Sequence, residues 1–449
     1  MKLFGTDGIR GRINRHPMTP ENVLRVGMAA ATVLRKEHHG RNMVLIGKDT
    51  RLSGYMIESA LTSGICSMGM NVTVVGPLPT PGIAYLTRTL RIDAGIVISA
   101  SHNPYQDNGI KFFSHDGFKL PDALEQRIEE LVEDDNLPRY RSKGEEVGKA
   151  FRLDDATGRY IEYIKSTLPR GLSLEGLKIV IDCANGAAYK TTPWLLRELG
   201  AEVIALHDKP DGVNINLNCG SLHMEDLSRE VLRHKADIGI AHDGDADRVL
   251  LCDEKGRLID GDRIMGICAA EMQNRGALKG DTVVATVMSN IGLEKYLQQR
   301  GVRLIRTKVG DRYVVEKMLS GGYNLGGEQS GHVVFLDLNT TGDGPVTAMQ
   351  VLSVMKSKGM KLSKLASEIR LFPQVLMNVE LEKRQDIRAF PEIEKVIRSV
   401  EKSLGDSGRV LVRASGTEPK IRVMLEGRDI RTITKFGREI SRVIREAMK

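Results

Sequence analysis

The sequence predicts an α/β protein of four domains, in which three related α/β domains with mixed, mostly parallel sheets precede a C-terminal α+β domain. The chain has 449 residues, which is too long for one core at about 100–200 residues per domain. Strands alternate with helices along most of the chain, and such connections favour parallel pairing. Beyond about residue 370 the pattern changes to that of a smaller, separate fold.

A strand–helix–strand unit is predicted at three places. The first strands of these units are the apolar runs at 43–49, 178–182 and 282–285. Each unit passes from its helix to its second strand through a glycine, namely Gly69, Gly200 and Gly301. A unit that recurs by pattern at wide spacing predicts three domains of one design.

The first domain illustrates how the elements are assigned. Pro20 suits the first turn of a helix that runs to about Lys36. Ser53 is expected to cap the next helix. The apolar run 94–98 predicts a buried strand, and the segment 109–113 is expected to return beside it as a hairpin.

Changes in composition set the predicted domain boundaries. The segment 134–146 is charged and is interrupted by Pro138 and Gly144. Strands are expected at 374–381, 409–413 and 421–425, with helices between and after them. The predicted domains are 1–152, 153–253, 254–369 and 370–449.

The overall composition argues against several classes of protein. The 65 basic and 58 acidic residues give a charge of +7 without a dense basic block, which argues against nucleic-acid binding but would attract small anionic substrates. The five cysteines are scattered and lack CxxC spacing, which favours a reducing compartment. Neither a signal peptide nor an apolar run of about 18 residues is found. We expect a cytoplasmic protein without nucleic-acid or membrane partners.

A polar loop, Ser99 to Pro104, follows the predicted strand 94–98. Ligands of open α/β sheets usually bind at the carboxyl ends of strands. Ser101 is therefore the candidate covalent carrier, and His102 is a candidate for orienting a phosphate. The hairpin would bring Lys111 to the same end of the sheet. A serine beside a histidine also suits a hydrolase, although no acid is evidently placed to orient His102.

The strongest local signal is the sequence DGDADR at 243–248. Asp243, Asp245 and Asp247 alternate with small residues, so a curled loop can bring three oxygens to one hard cation. Oxygen ligands favour Mg²⁺ over zinc, and three close carboxylates repel one another unless a cation offsets them. The stretch from Asp245 to Val249 also fits the D-x-D-x-V signature of aspartate-nucleophile phosphatases, but it does not directly follow an apolar strand.

Two further loops carry polar groups between small residues. The sequence RASGTEP at 413–419, with Arg422 after it, offers backbone N–H groups, hydroxyls and guanidiniums to an anion. The sequence GEQSGH at 327–332 places Glu328 and Ser330 among glycines, where both can hydrogen-bond sugar hydroxyls or an amine.

Four segments, SASHNP, DGDADR, GEQSGH and RASGTEP, resemble in sequence and order the motifs of the α-D-phosphohexomutase superfamily. The resemblance runs from Phe4 to beyond Arg422, and no motif residue departs from the pattern. The opening FGTDGIRGR and Gln329 are most similar to members that act on glucosamine phosphates. Relatives that act on mannose or glucose phosphates usually have Met in the place of Gln329.

The resemblance implies four domains around a central cleft, a phosphoryl group on Ser101, and Mg²⁺ held by the three aspartates and a phosphoserine oxygen. Arg248 and Lys111 would supply positive charge at Ser101. Lys111 would also move the proton of the attacking hydroxyl if nearby cations lowered its pKa. Arg10 is a further catalytic candidate. Glu328 and Ser330 would bind the sugar. The non-reacting phosphate would be held by Arg413, Ser415, Gly416, Thr417 and Arg422.

The implied reaction interconverts glucosamine 6-phosphate and glucosamine 1-phosphate through a 1,6-bisphosphate, for amino-sugar nucleotide and cell-wall precursor synthesis. Glucosamine or glucose 1,6-bisphosphate would be the activating phosphoryl donor. Such relatives are commonly homodimers, although no interface can be identified here. The alternatives are a mutase that prefers glucose or mannose phosphates, a Mg²⁺-dependent phosphatase, and a sensor that binds sugar phosphates without turnover.

Overall fold

The computed structural model describes residues 3–5, 7–36, 41–381, 387–414 and 420–448. The chain divides into a large unit, residues 1–288 and 304–367, and a small unit, residues 289–303 and 368–449. Within the described ranges, no helix is both long and apolar enough to cross a lipid bilayer.

The first sheet of the large unit has six strands in the order β1-β5-β4-β2-β3-β6. Its strands are β1 (Ile9–Arg12), β2 (Met43–Lys48), β3 (Asn71–Pro77), β4 (Ala94–Ile98), β5 (Asp107–Ser114) and β6 (Ala150–Arg152). Its helices are α1 (Pro20–Lys36), α2 (Gly54–Ser67), α3 (Thr80–Thr89) and α4 (Asp122–Glu133). The strands β4, β2, β3 and β6 pair in parallel, whereas β5 is antiparallel to both β4 and β1.

Two details of this region concern the sequence predictions. The hairpin is confirmed, because β5 pairs with β4 so that Lys111 lies opposite Val97. The expected helix cap at Ser53 is wrong, since its side chain makes no capping hydrogen bond. Instead, the Ser53 hydroxyl accepts a hydrogen bond of 2.9 Å from Asn108 Nδ2, so a tertiary contact competes successfully with the local cap.

The second sheet has the order β11-β10-β9-β7-β8. Its strands are β7 (Lys178–Asp182), β8 (Glu202–Leu206), β9 (Ile238–His242), β10 (Val249–Asp253) and β11 (Leu258–Ile259), and its helices are α5 (Ala156–Ser166), α6 (Thr191–Glu198) and α7 (Glu225–His234). The strands β8, β7 and β9 are parallel, and β10 is antiparallel to β9. The sequence DGDADR therefore forms the loop of a hairpin, between His242 and Val249.

The third sheet has the order β13-β12-β14-β15. The strands are β12 (Thr282–Thr286), β13 (Arg303–Thr307), β14 (Leu325–Gly327) and β15 (Val333–Phe335). The helices along this part of the chain are α8 (Gly261–Asn274), α9 (Ile291–Gln299), α10 (Asp311–Gly321), α11 (Gly344–Lys358) and α12 (Leu362–Ser367), of which α9 belongs to the small unit. The sequence GEQSGH joins β14 to its antiparallel neighbour β15.

The small unit contains α9 and an antiparallel sheet in the order β16-β18-β17. The remaining elements are β16 (Gln374–Glu380), β17 (Gly408–Ala414), β18 (Lys420–Gly427), α13 (Pro391–Leu404) and α14 (Ile430–Ala447). Its core is formed by residues such as Val379, Val423 and Ile440. At the start of α9, the Ile291 N–H donates to Glu426 Oε2 over 3.1 Å.

These sheets confirm the predicted fold class of three α/β regions followed by an α+β region. The three glycines expected between helix and strand all have left-handed φ angles, of 82°, 92° and 74° for Gly69, Gly200 and Gly301. Left-handed residues commonly end helices. The sequence prediction missed α3, whose first residue, Thr80, belongs to the site described below. The exact domain bounds remain a prediction.

The close packing of α1 against α2 gives a test of the core. A side chain at Gly64 would collide with the carbonyl oxygen of Leu24, and one at Gly27 would lie 2.8 Å from the carbonyl oxygen of Leu61. Overpacking a core typically costs about 1–3 kcal/mol. We expect Gly64→Ala to lower the free energy of unfolding by at least that amount, as measured by urea denaturation.

Gly158→Ala is the matched control, because Gly158 is exposed in α5 and a methyl group at this position would have no other atom within 4 Å. Helical glycine-to-alanine changes at such sites stabilise by about 0.4–1 kcal/mol. Equal effects of the two substitutions would show that α1 and α2 do not pack as closely as described.

Candidate active site

Ser101 lies directly after β4 in a strained and buried loop. Its φ angle of 51° is left-handed, and only 1% of its surface is exposed. The hydroxyl donates to Asp243 Oδ2 over 2.6 Å, and Oγ lies 3.2 Å from His102 Nδ1. The Ser101 N–H donates to Ser99 Oγ over 2.9 Å, so Ser99 shapes the loop. The serine is therefore held against the predicted metal loop.

Two residues that the sequence analysis did not identify hold the Ser101 carbonyl oxygen. Arg51 Nη2 donates to it over 3.1 Å and Asn216 Nδ2 over 2.9 Å. Both side chains also donate to the Asn103 carbonyl oxygen, over 2.5 Å and 3.1 Å. The fully buried Arg51 is paired with Asp49. Arg51 lies just after β2, and this position could have identified it from the sequence, because neighbouring parallel strands end at the same edge of a sheet.

The three aspartates converge as predicted. Their carboxylate oxygens lie within 4.8 Å of one another, and all three residues are buried. Asp245 Oδ2 accepts hydrogen bonds from Thr80 Oγ1 over 2.8 Å and from Lys111 Nζ over 2.9 Å. Asp245 Oδ1 and Asp247 Oδ1 are buried without a hydrogen bond from any described residue. Two such oxygens, in the loop that also accepts the hydrogen bond of the Ser101 hydroxyl, fit a hard divalent cation.

The electrostatics of the loop also fit a cation. Burial, together with the negative charges of Asp247 and Asp245, raises the pKa of Asp243 to about 8. Although burial opposes it, the positive charge of Lys111 lowers the pKa of Asp247 below its ordinary value. Three buried carboxyl groups thus share too little positive charge for all of them to ionise easily.

Lys111 lies at the centre of this charge cluster. Its Nζ lies 2.9 Å from Asp245 Oδ2, 3.4 Å from Asp247 Oδ2 and 3.3 Å from Asp7 Oδ2. Burial favours the neutral amine, but these carboxylates outweigh it and raise the pKa of Lys111 well above its ordinary value. The condition for proton transfer, a pKa of Lys111 lowered by nearby cations, is not met here, because anions surround the amine more closely than cations do. Lys111 is a fixed positive charge in this arrangement.

Three other predicted residues lie near Ser101 or the charge cluster around Lys111. Burial and the nearby guanidiniums of Arg248 and Arg10 lower the pKa of His102 to about 4, so His102 is neutral at neutral pH. The Arg248 N–H donates to Asp243 Oδ1 over 3.2 Å, and its guanidinium Nε lies 3.9 Å from Asp247 Oδ1. Arg10, on β1, pairs with Asp7. Arg248 and Arg10 therefore supply positive charge to this region, whereas His102 does not.

The GEQSGH loop belongs to the same unit. Glu328 Oε1 accepts a hydrogen bond of 3.2 Å from the Gly310 N–H, and Oε2 accepts one of 3.3 Å from Ser330 Oγ. His332, which the sequence analysis passed over, is buried, with its ring nitrogens 3.7 Å from Asp247 Oδ1 and 3.6 Å from Asp311 Oδ2. His332 therefore links the GEQSGH loop to the three-aspartate loop.

The predicted phosphate-binding residues lie in the small unit. Arg413 on β17 is directly opposite Arg422 on β18 in the antiparallel ladder. Burial and the charge of Arg422 lower the pKa of Arg413. Two adjacent guanidiniums favour an anionic ligand. Ser415, Gly416 and Thr417 lie outside the described residues.

Family models of the phosphoglucomutase/phosphomannomutase domains match nearly the whole chain in order. The alpha/beta/alpha domains I, II and III match residues 1–139, 158–256 and 260–372, and the C-terminal domain matches residues 376–443.

Two relatives match over their full length. A phosphoglucosamine mutase from Syntrophotalea carbinolica is 58% identical over 443 residues, with 99% of this chain and 97% of the relative covered. Another, from Citrifermentans bemidjiense, is 57% identical over 447 residues, with 100% and 98% covered.

Two solved structures share the fold. A phosphoglucomutase/phosphomannomutase family protein from Burkholderia thailandensis superposes with a TM-score of 0.83 at 24% identity, covering 99% of this chain and 97% of the other. An Aspergillus fumigatus N-acetylphosphoglucosamine mutase, in complex with GlcNAc-6P and magnesium, superposes with a TM-score of 0.68 at 17% identity, covering 100% and 96%.

The three-carboxylate loop predicts that Asp245→Asn weakens Mg²⁺ binding by at least about tenfold, because the buried loop loses a charged oxygen ligand. Isothermal titration calorimetry measures this, with circular dichroism to check the fold. Asp237→Asn is the matched control, since Asp237 lies at the opposite end of β9 and accepts a hydrogen bond from the Lys178 N–H. Unchanged Mg²⁺ affinity in Asp245→Asn would exclude this loop as the magnesium site.

Proposed function

The chain belongs to the phosphoglucosamine mutase family, and from that premise we propose that it interconverts glucosamine 6-phosphate and glucosamine 1-phosphate. Relatives with 57–58% identity over the full chain support this substrate. The observation that carries the mechanism is the 2.6 Å contact between Ser101 Oγ and Asp243. It places a nucleophilic oxygen beside a loop suited to a cation, as phosphoryl transfer requires. The enzyme is an isomerase of the phosphohexomutase type.

The reaction consists of two transfers. In the first, the 1-hydroxyl oxygen of glucosamine 6-phosphate attacks the phosphorus on Ser101, the Ser101 Oγ–P bond breaks, and the proton of the 1-hydroxyl is transferred to Ser101 Oγ. The product is glucosamine 1,6-bisphosphate, which must turn over in the site. In the second, Ser101 Oγ attacks the 6-phosphate, the O6–P bond breaks, and the proton of the Ser101 hydroxyl is transferred to O6. Glucosamine 1-phosphate leaves, and Ser101 is phosphorylated again.

Asp243, Asp245 and Asp247, with an oxygen of phosphorylated Ser101, are the residues that would hold Mg²⁺. When bound, Mg²⁺ neutralises charge that develops on the transferred phosphoryl group. The magnesium in the Aspergillus fumigatus complex supports this choice of ion. Asp245 Oδ1 and Asp247 Oδ1, which are buried without a hydrogen bond from any described residue, support it independently.

The remaining residues bind and orient the substrate. Lys111, Arg10 and Arg248 supply positive charge toward the phosphoryl group on Ser101, and such fixed charges stabilise a transition state without reorganising. Neutral His102 contributes a hydrogen bond rather than a charge. Glu328 and Ser330 bind sugar hydroxyls or the amine. Either phosphate of the bisphosphate can face Ser101. The phosphate at the other end of the sugar therefore needs a separate anion site.

That anion site comprises Arg413, Arg422 and the segment with Ser415, Gly416 and Thr417. Domain bounds at 1–152, 153–253, 254–369 and 370–449, a cytoplasmic location and a homodimer are further predictions. So is activation by glucosamine or glucose 1,6-bisphosphate, which would phosphorylate Ser101.

The substrate assignment is tested by a coupled assay that compares the 6-phosphates of glucosamine, glucose and mannose. We expect the highest kcat/KM with glucosamine 6-phosphate, because the chain has Gln329 and is 57–58% identical to phosphoglucosamine mutases. A preference for glucose or mannose 6-phosphate would contradict the proposal and favour the second candidate, a phosphoglucomutase or phosphomannomutase of the same superfamily.

The carrier role predicts that phosphate is found on Ser101 by intact mass and peptide mapping. Ser101→Ala should abolish mutase turnover, since no group then receives the phosphoryl group. Ser114→Ala, at the end of β5, is the control and should keep activity. Steady phosphate release that survives Ser101→Ala would instead favour a phosphatase. Substrate binding without turnover by the phosphorylated protein would favour a sensor.

The anion site predicts that Arg422→Ala raises KM more than it lowers kcat. A lost charge-assisted hydrogen bond costs about 1.5–3 kcal/mol, which corresponds to a rise in KM of roughly ten- to a hundredfold. Arg428→Ala is the control, because Arg428 is exposed and lies just beyond β18. If steady-state kinetics give an unchanged KM for Arg422→Ala, then Arg422 does not hold the substrate phosphate.

A further inference from the structure

The second sheet carries another cluster of metal-binding side chains, separate from the three-aspartate loop. Asp182, His207 and Cys219 each place a ligand atom within 4.8 Å of those of the other two. Asp182 is fully buried and Cys219 is 1% exposed. The reaction proposed above uses none of the three. A buried carboxylate, imidazole and thiol in one place therefore lack an explanation in the catalytic mechanism.

The fold brings these residues together from three segments. Asp182 is the last residue of β7, and His207 follows β8, its parallel neighbour, so both lie at one edge of the sheet. Cys219 immediately precedes a short 3₁₀ turn at Gly220–Leu222. The Gly220 N–H donates to Asp182 Oδ2 over 2.9 Å, which anchors this turn on the end of β7.

The imidazole lies near the carboxylate and the thiol, at distances that a metal ion could bridge. His207 Nδ1 is 3.0 Å from Asp182 Oδ2, within ion-pair distance, but it makes no aligned hydrogen bond with any described residue. Asp182 Oδ1 accepts a hydrogen bond of 2.8 Å from the Ala184 N–H, so the carboxylate is held in place by the backbone. A bound ion would take the place of a proton on Nδ1 and would be shared with the carboxylate and the thiol.

We propose that Asp182, His207 and Cys219 form a zinc site. Sulfur, nitrogen and oxygen donors together suit Zn²⁺, whereas Mg²⁺ and Ca²⁺ prefer oxygen alone. A cavity of about 480 Å³, lined in part by His207, Asp208 and Asp226, reaches the cluster at His207. Asp226 Oδ2 lies 3.9 Å from His207 Nε2, so this carboxylate is placed to orient the ring from the side opposite Nδ1, and water would complete the coordination of the ion.

A zinc ion here would stabilise the segments that support the serine loop. The Asn216 N–H donates to the Ala184 carbonyl oxygen over 2.9 Å, two residues after Asp182. The side chain of Asn216 holds the Ser101 carbonyl oxygen. The Ala187 N–H donates to the Gly244 carbonyl oxygen over 2.8 Å. The site is therefore structural, and it binds its ion independently of the mutase reaction.

The test titrates the full-length, metal-stripped protein with Co²⁺ and follows the near-ultraviolet thiolate-to-cobalt charge-transfer band, which oxygen ligands do not produce. We expect one Co²⁺ per chain with this band, and Zn²⁺ should displace it. Loss of an outer-shell partner alone weakens metal binding by about 10–100-fold. Cys219→Ser should therefore abolish the band and weaken Zn²⁺ binding by at least about a hundredfold. Cys252→Ser is the matched control, because Cys252 is equally buried in the same sheet.

Two further variants make every outcome informative. His207→Asn, at a partly exposed position, should also weaken Zn²⁺ binding if Cys219→Ser fails to fold. Asp245→Asn should keep the band, since it alters only the three-aspartate loop. Zn²⁺ should raise the Tm of the wild type but not of His207→Asn, because an ion that binds only the folded state stabilises it. A wild type without the band, or a band that survives Cys219→Ser, would overturn the proposal.

Discussion

The burial of three carboxyl groups in one hairpin loop is the constraint on which the site depends. Asp243, Asp245 and Asp247 lie within 4.8 Å of one another, and burial strengthens their mutual repulsion. Burial of the carboxyl group, together with the charges of Asp247 and Asp245, raises the pKa of Asp243 to about 8. Such a loop is tolerated only where cations are brought to it. The surrounding structure supplies Lys111 and Arg248 and leaves two carboxylate oxygens available for a metal ion.

This requirement for positive charge explains why the first and second sheets share the site. Lys111 comes from β5, and Thr80 from the start of α3, yet both donate to the same oxygen of Asp245. Asn216, from the second region, and Arg51, from the first, hold one carbonyl oxygen of the serine loop. Gly244 permits the approach, since a side chain there would lie 2.6 Å from that oxygen. The same contacts thus position the serine loop and the three-aspartate loop.

Much of the site could be predicted from the sequence because its chemistry is concentrated in short loops after strands. Ser101, the three aspartates and Glu328 each stand in a distinctive local sequence. Arg51 and Asn216 have no such context, and their importance comes from distant partners. Asp7 and His332 stand within the segments FGTDGIRGR and GEQSGH, but their contacts are also with distant residues. The sequence analysis let Lys111 transfer a proton on the condition that nearby cations lower its pKa. That condition is not met, again because distant partners decide the environment of the amine. Its pKa depends on Asp245, Asp7 and Asp247, which are far away in the chain and close in space.

The sequence by itself determined the alternation of strands and helices, the four regions and the residue types of the reactive loops, because these follow from local hydrophobic pattern and side-chain chemistry. Only the tertiary structure decided that Ser101 donates to Asp243, that Ser53 binds Asn108 instead of capping its helix, and that Asp182, His207 and Cys219 meet. Such contacts join residues separated by tens to more than a hundred positions. They arise when strands pair and their carboxyl ends meet at one edge, which no local pattern specifies.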